Sequence, residues 1–311
     1  MRRGLFVRAS VSLALASAVG CTQGNAAEQD TATRQSVAAQ RRELTDSEQI
    51  LVDQARELLV KDCMEAEGFR YWPGPVAGIE DRQGSGYVLD DVGWARKHGY
   101  GTRLQKKVEA ALQSDPDHAY ANALPEAERV RYSKTLDGNP VDGMLTAELP
   151  TGGSIQTPRH SCQTEAKEEL YGDFPAWFRA EKAVTNLAGL YVPDLKKDER
   201  FTTALKAWSA CMRERGHDYP DPARIREQLP HLTKGLSDTE AHAAEVNLAV
   251  DEAECATKET SLVRTARALE REYRGRLREY RDDIANHQHM QLRALERAKN
   301  LYTKATCAPD N

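Results

Sequence analysis

Nowhere beyond its first 21 residues does this chain carry an apolar run of 18 residues, so no transmembrane helix is expected in the mature protein. Aromatic residues make up only 6% of the sequence. No CxxC, CxxCH or zinc-finger spacing of His occurs, which argues against metal and haem sites. The sequence also lacks GxSxG, SxxK, HExxH, a Gly-rich phosphate loop and a dinucleotide fingerprint. No cofactor is implied, and catalysis has no motif to rest on. The formal net charge of −5 over 311 residues selects no partner. Strands are scarce too: no segment alternates convincingly, and the best candidate, Gly86-Tyr87-Val88-Leu89, is only four residues long. What remains is a charged, water-soluble composition suited to helices.

The first 21 residues differ from the rest. Arg2, Arg3 and Arg8 make a basic start, and Ala9 to Gly20 is a short stretch of apolar and small residues without acids. This reads as a secretory signal, residues 1–20, too short to span a membrane. It ends in Ala18-Val19-Gly20-Cys21, which resembles a bacterial lipobox; that resemblance implies that Cys21 receives a diacylglycerol and becomes the new N-terminus. The alternative is ordinary cleavage near Asn25-Ala26-Ala27. The RRGLF start also resembles a twin-arginine export signal, so the export route stays open. Residues 21–43 are polar and lack the apolar content to order themselves, as a tether would.

Cysteine usage fits an exported chain. Besides Cys21 there are Cys63, Cys162, Cys211, Cys255 and Cys307. In an oxidising compartment disulfides are the better reading than metal. Fifteen pairings are open, but the chain repeats a phrase. CMEAEGFRY starts at Cys63 and CMRERGHDY at Cys211, sharing Cys, Met, Gly and Tyr. A later Cys-x-Thr follows each copy, at Cys162 and at Cys255. The economical pairing is Cys63 with Cys162 and Cys211 with Cys255. Loop-closure entropy then contributes about 4–5 kcal/mol per bridge. Cys307 is left over, free or intermolecular.

Each copy closes an amphipathic helix. Leu51, Ala55, Leu59 and Cys63 share one face, as do Phe201, Leu205, Trp208 and Met212, and Gly68 and Gly216 end the two helices. Thr45/Glu48 and Ser237/Glu240 are capping boxes. Shorter helices are predicted from Asp90 or Asp91 to Gly99, up to Gly138, up to Gly172, and over Phe174 to Leu190. Residues 139–158 read as a long surface loop. After Ser237 no proline appears until Pro309. A helix continuous to Ala305 would be on the order of 100 Å long, with a hinge near Asn286. Its stripe is Leu262, Ala266, Leu269, Tyr273, Leu277, Tyr280 and Ile284, which has to lie against the chain's own globular half or a partner helix. The fold class is therefore all-α: two disulfide-clipped helical units, 44–192 and 193–311, the second carrying a long C-terminal helix.

Candidate sites are few. His287 and His289 point apart on a helix, as solvated or capping residues. Asp115, Asp117 and Glu126 fall at EF-hand positions, but Ala119 and Tyr120 stand where ligand and glycine are needed. Ser154 sits in a Gly loop, and His242 on a helix surface. The more distinctive feature is the segment Ser261–Arg281, with seven Arg against three Glu. Arg267, Arg271, Arg274 and Arg278 are the candidate contacts for an anionic cell-wall polymer or lipid headgroups. The bland alternative is a solvated face with pairs such as Glu270 and Arg274.

The lipobox, CMxxxGxxY with a later Cys, WARxHGYG, and the helix that reads Tyr…Leu-x-Gly before a second Cys together resemble a loose group of uncharacterised secreted lipoproteins of actinobacteria. The resemblance implies location and disulfides and carries no catalytic residues. The expected role is non-catalytic binding or scaffolding at the cell envelope, lipid-anchored on its outer face, with no nucleic acid as partner. A wall hydrolase would instead need two carboxylates converging in a cleft. A solute-capture lipoprotein of a transporter would need a two-lobed α/β fold.

Overall fold

The computed structural model describes residues 42–307, without the last four side chains of that span. Cys21, the signal and most of the tether lie outside the described residues, as does the side chain of Cys307.

Among the described residues the regular structure is helical, save one hairpin. Helix α1 (Asp46–Ala66) starts at the Thr45/Glu48 capping box. Four short helices follow, α2 (Ile79–Arg82), α3 (Val92–His98), α4 (Thr102–Gln113) and α5 (Pro116–Ala123), and then α6 (Glu126–Asp137). Strands β1 (Met144–Glu148) and β2 (Ser154–Pro158) pair antiparallel, Met144 opposite Pro158 and Glu148 opposite Ser154. Next come α7 (Cys162–Tyr171), α8 (Phe174–Thr185), α9 (Ala188–Leu195), α10 (Glu199–Glu214), α11 (Pro222–Leu232) and α12 (Asp238–Glu254). A π-helical turn (Cys255–Glu259) leads to α13 (Leu262–Arg276), and a 3-10 turn (Arg278–Tyr280) to α14 (Arg281–Cys307).

The repeated phrase is a structural device. Both cysteines stand one turn before the end of their helices, and both following methionines, Met64 and Met212, are fully buried. Gly68 and Gly216 take φ of 84° and 87°. In the first copy Phe69 N donates to Met64 O (2.9 Å) and Gly68 N to Glu65 O (3.0 Å). In the second His217 N donates to Met212 O (2.9 Å) and Gly216 N to Arg213 O (3.0 Å). These are the two hydrogen bonds of a Schellman cap, made twice. The tyrosines fold back: Tyr71 OH donates to Glu57 of α1 (3.1 Å), and the carbonyl of Tyr219 accepts from Ser209 of α10 (2.7 Å). The bridges are Cys63–Cys162 and Cys211–Cys255, with Cα separations of 5.5 and 5.8 Å. Their far ends differ. Cys162 opens α7, whereas Cys255 lies in the π-helical turn that closes α12.

Three apolar clusters form the interior. The first joins α1, α6, the hairpin, α7 and α8, and it includes Ala294, Leu295 and Ala298 of α14. The second joins α9, α10, α11, α12 and α13, and it takes in Val88 and, at its edge, Tyr87. A small third cluster sets Leu89, Trp94 and Ala95 against Ala249 and Ala253 of α12. Each half of the chain thus contributes a segment to the core of the other.

The structure corrects three expectations of the fold. The segment after Ser237 is not one rod: it breaks at Thr260, in extended conformation with ψ of 177°, and again at Leu277, with ψ of 66°, while helix runs unbroken through Asn286. Residues 144–158 hold a hairpin. Only Leu145 and Ala147 face inward there, a two-residue alternation too brief to see against a Gly- and Thr-rich background. The four-residue Gly86–Leu89 stretch, as its brevity suggests, forms no strand. Its Leu89 N–H is taken by the Glu252 side chain (3.0 Å) in place of a sheet partner. Finally, Phe174 to Leu190 is divided at Asn186 between α8 and α9.

Candidate functional site

Helix α13 presents two opposite faces. At 100° per residue, Leu262, Ala266, Leu269 and Tyr273 fall within about 60° of one another, and Arg264, Arg267, Arg271 and Arg274 within about 80° on the far side. The apolar face lies on α9 and α10 of the same chain: Leu262 and Leu269 are buried, and Ala266, Tyr273, Leu277, Tyr280 and Ile284 pack at the edge of the second core. The chain's own globular body therefore covers the stripe, and the arginines are turned outward.

The four candidate arginines divide into two pairs. Arg267 pairs with Asp90, and Arg274 with Glu43 at 3.0 Å. Arg271 and Arg278 are exposed, with no ion-pair partner among the described residues. Arg264, exposed one helical repeat before Arg271, extends the unpaired row. At the flank, Glu272 is claimed by Arg200 (2.9 Å) and Arg276 (2.5 Å), and these contacts hold its carboxyl below the usual range. The acids nearest the face thus neutralise its edge, and its centre stays cationic. Glu43, near the start of the described residues, thus lies at the margin of this face.

Among the other candidates, Asp91 caps α3 by accepting from Trp94 N (2.9 Å), and Asp90 serves Arg267. Asp115 caps α5, and buried Asp117 accepts from Trp72 N (3.0 Å). Both carboxylates are thus tied to backbone donors, and their segment is a helix where a calcium loop would need a turn. Ser154 is the exposed first residue of β2. His287 is buried and not solvated as expected: it shares the inner face of α14 with Ala294, Leu295 and Ala298. Burial holds its imidazole below the ordinary value. Among the described residues, no three His, Cys, Asp or Glu side chains are placed to hold a metal ion.

Sequence reasoning passes over two buried acids of α12. Glu252 is fully buried; its Oε1 accepts from Leu89 N (3.0 Å) and its Oε2 from Tyr100 OH (2.5 Å), and Arg226 lies 3.6 Å away. Desolvation raises its carboxyl above the usual range, against the opposing pull of Arg226 and the two donors. It fastens the Leu89–Tyr100 segment to the second core. Glu245 is 3% exposed. The two acids stand seven residues apart and flank Leu248 and Ala249. An acid at apolar-face spacing is the signal that could have revealed them.

No helix among the described residues is long and apolar enough to cross a membrane. The two disulfides are consistent with an extracytoplasmic protein. Compared with protein-family models, with curated proteins and with solved structures, the chain matches none.

Proposed function

We propose that this chain is a lipid-anchored, extracytoplasmic helical protein that binds or scaffolds without catalysis at the cell envelope. In this reading Cys21 carries the lipid and the outer face of α13 meets phosphate-bearing polyanions. The observation that carries it is the orientation of α13. Its apolar face is covered by its own chain, and Arg264 and Arg271, with Arg278 in the 3-10 turn just beyond, are exposed without ion-pair partners among the described residues. Guanidinium groups suit phosphate oxygens, which they meet in bidentate pairs. The ion pair of Glu43 with Arg274 supports the reading, because the first of the described residues border the arginine face. The two-lobed α/β fold that solute capture for a transporter calls for is not the fold observed. A wall hydrolase is the alternative reading, and no observation among the described residues favours it.

Two measurements test the proposal. The intact mass of the processed protein should show the chain starting at Cys21 with a diacylglycerol attached; a mass for cleavage near Ala27 would remove the anchor. Co-sedimentation at low salt should show binding to vesicles rich in phosphatidylglycerol or to a soluble polyglycerol phosphate, the two arms separating headgroup from wall polymer. Each basic residue near an anionic surface contributes about 1 kcal/mol. Arg271→Gln with Arg278→Gln should therefore weaken binding about 20-fold or more. Arg267→Gln with Arg274→Gln should weaken it less, because those two already serve Asp90 and Glu43. Equal binding by wild type and the Arg271/Arg278 double variant would dismiss the surface.

A further inference from the structure

Away from the α13 face, the start of α12 faces a second feature. The first turns of α4, the turn between α11 and α12, and the first two turns of α12 enclose a cleft of about 180 Å³. Its walls include Arg103, Lys106, Leu236, Asp238, His242 and Glu245. Glu245 is 3% exposed, and its Oε2 is buried without a hydrogen-bond partner. His242 Nδ1, one turn earlier on the same helix, is likewise buried and unpartnered. A buried carboxylate oxygen that lacks a donor is among the costliest groups a fold can keep. When it borders a cleft, an incoming donor recovers that cost.

The opposite wall has the other sign. Helix α4 begins at Gly101, in the left-handed conformation, with no side-chain cap and no acid in its first turn. Its leading N–H groups therefore point out uncapped, next to Arg103 and Lys106. Arg103 is held by Asp238 at 3.0 and 2.7 Å, and Lys106 reaches the same carboxylate at 3.5 Å. Both partners of the Arg103–Asp238 pair are exposed, at 44% and 60%. Ion pairs that exposed contribute little, so a ligand carboxylate can take Asp238's place.

The geometry points to a binding site for a small zwitterion, with a primary ammonium donating to the Glu245 carboxylate and an adjacent carboxylate meeting Arg103 and the first turn of α4. Free amino acids are the chemical class. The volume lies below the roughly 300–1,000 Å³ of pockets for drug-sized ligands, which confines the occupant to that size.

Isothermal titration of the full chain with its disulfides intact tests this, with glycine, L-alanine and D-alanine as probes and ethylamine and acetate as single-charge controls. The expected result is saturable binding of at least one zwitterion, about tenfold or more tighter than either control. Glu245→Gln, close to isosteric, should weaken it by about tenfold or more, and Arg103→Gln should weaken it by a smaller factor. Heats that do not saturate for any of the three zwitterions would overturn the proposal, as would unchanged affinity in Glu245→Gln. Should that variant fail to fold, Arg103→Gln on the exposed rim decides in its place: wild-type affinity there overturns the site. Vesicle binding by α13 uses none of these residues, so either proposal can fail without the other.

Discussion

At the scale of single residues, the ionisable groups that matter most are those the fold has taken out of water. His287 lies in the first core with Glu181, Glu43 and Arg274 around it, and burial outweighs the two carboxylates, so the folded protein keeps the imidazole neutral. The unfolded chain then takes up the proton first as pH falls. The contribution to stability is complete above the ordinary value of about 6.5 and is lost as pH drops through the window below it. Glu252 runs the other way. Its raised carboxyl binds the proton more tightly when folded, so its contribution falls as pH climbs past the ordinary carboxylate value. The two slopes oppose each other, and only variants separate them. His287→Gln should shrink the loss of urea midpoint between about pH 7 and pH 5.5, the interval in which an ordinary His titrates. An unaltered loss would mean that the slope arises elsewhere. Neither burial was legible in the sequence. His287 sits in a polar stretch, and its phase on the helix depends on where α14 begins, which the break at Leu277 resets.

Elements were more readable, because what starts and stops a helix is local. Both capping boxes form as the spacing requires, and the glycines at 68, 99, 138, 172 and 216 all take positive φ at helix ends. Two of them differ in a way that can be measured. A Cβ at Gly68 would meet nothing within 4 Å, so Gly68→Ala costs only the left-handed strain, about 1–2 kcal/mol. A Cβ at Gly99 would stand 2.7 Å from the Cβ of Glu245 and 3.2 Å from the α12 backbone. Gly99→Ala must therefore push α3 off α12 in addition to the strain. Its denaturation midpoint should fall further than that of Gly68→Ala, and equal losses would show that the α3–α12 approach yields freely. Elements held by longer-range contacts were harder to see. Helix α4 carries a four-residue stripe, Leu104, Val108 and Leu112, yet buries no residue, and α5 buries only Asp117, so pattern and burial part company there. The hairpin exists because β1 has α8 to lie on. The breaks at Thr260 and Leu277 carry no proline or glycine of their own. They let the chain turn from the second core to the first.

For the whole molecule, the decisive contact is the return of α14. Its Ala294, Leu295 and Ala298 complete a core whose other members mostly precede residue 180. Helix α14 packs on α1, α7 and α8, and Arg297 donates to the carbonyls of Glu169 (2.6 Å) and Leu170 (3.1 Å) near the end of α7. Ending the chain after Tyr280 should leave the second core and its disulfide in place and strip the first of one wall. The truncated protein should bind a dye for exposed apolar surface and lose near-ultraviolet dichroism from Trp177. A truncated form that melts in a single transition at the wild-type temperature would show that α14 is an appendage.

The sequence alone determined the helical class, most helix ends and the two sulfur pairings, because those depend on residues within a turn of one another or on a repeated phrase. Only the tertiary structure decided which core each helix enters, which arginines are spoken for, and which acids and which histidine are shut away from water. Those outcomes follow from apolar faces that are interchangeable as patterns. They become distinct only when the faces are packed together and each must cover a particular partner.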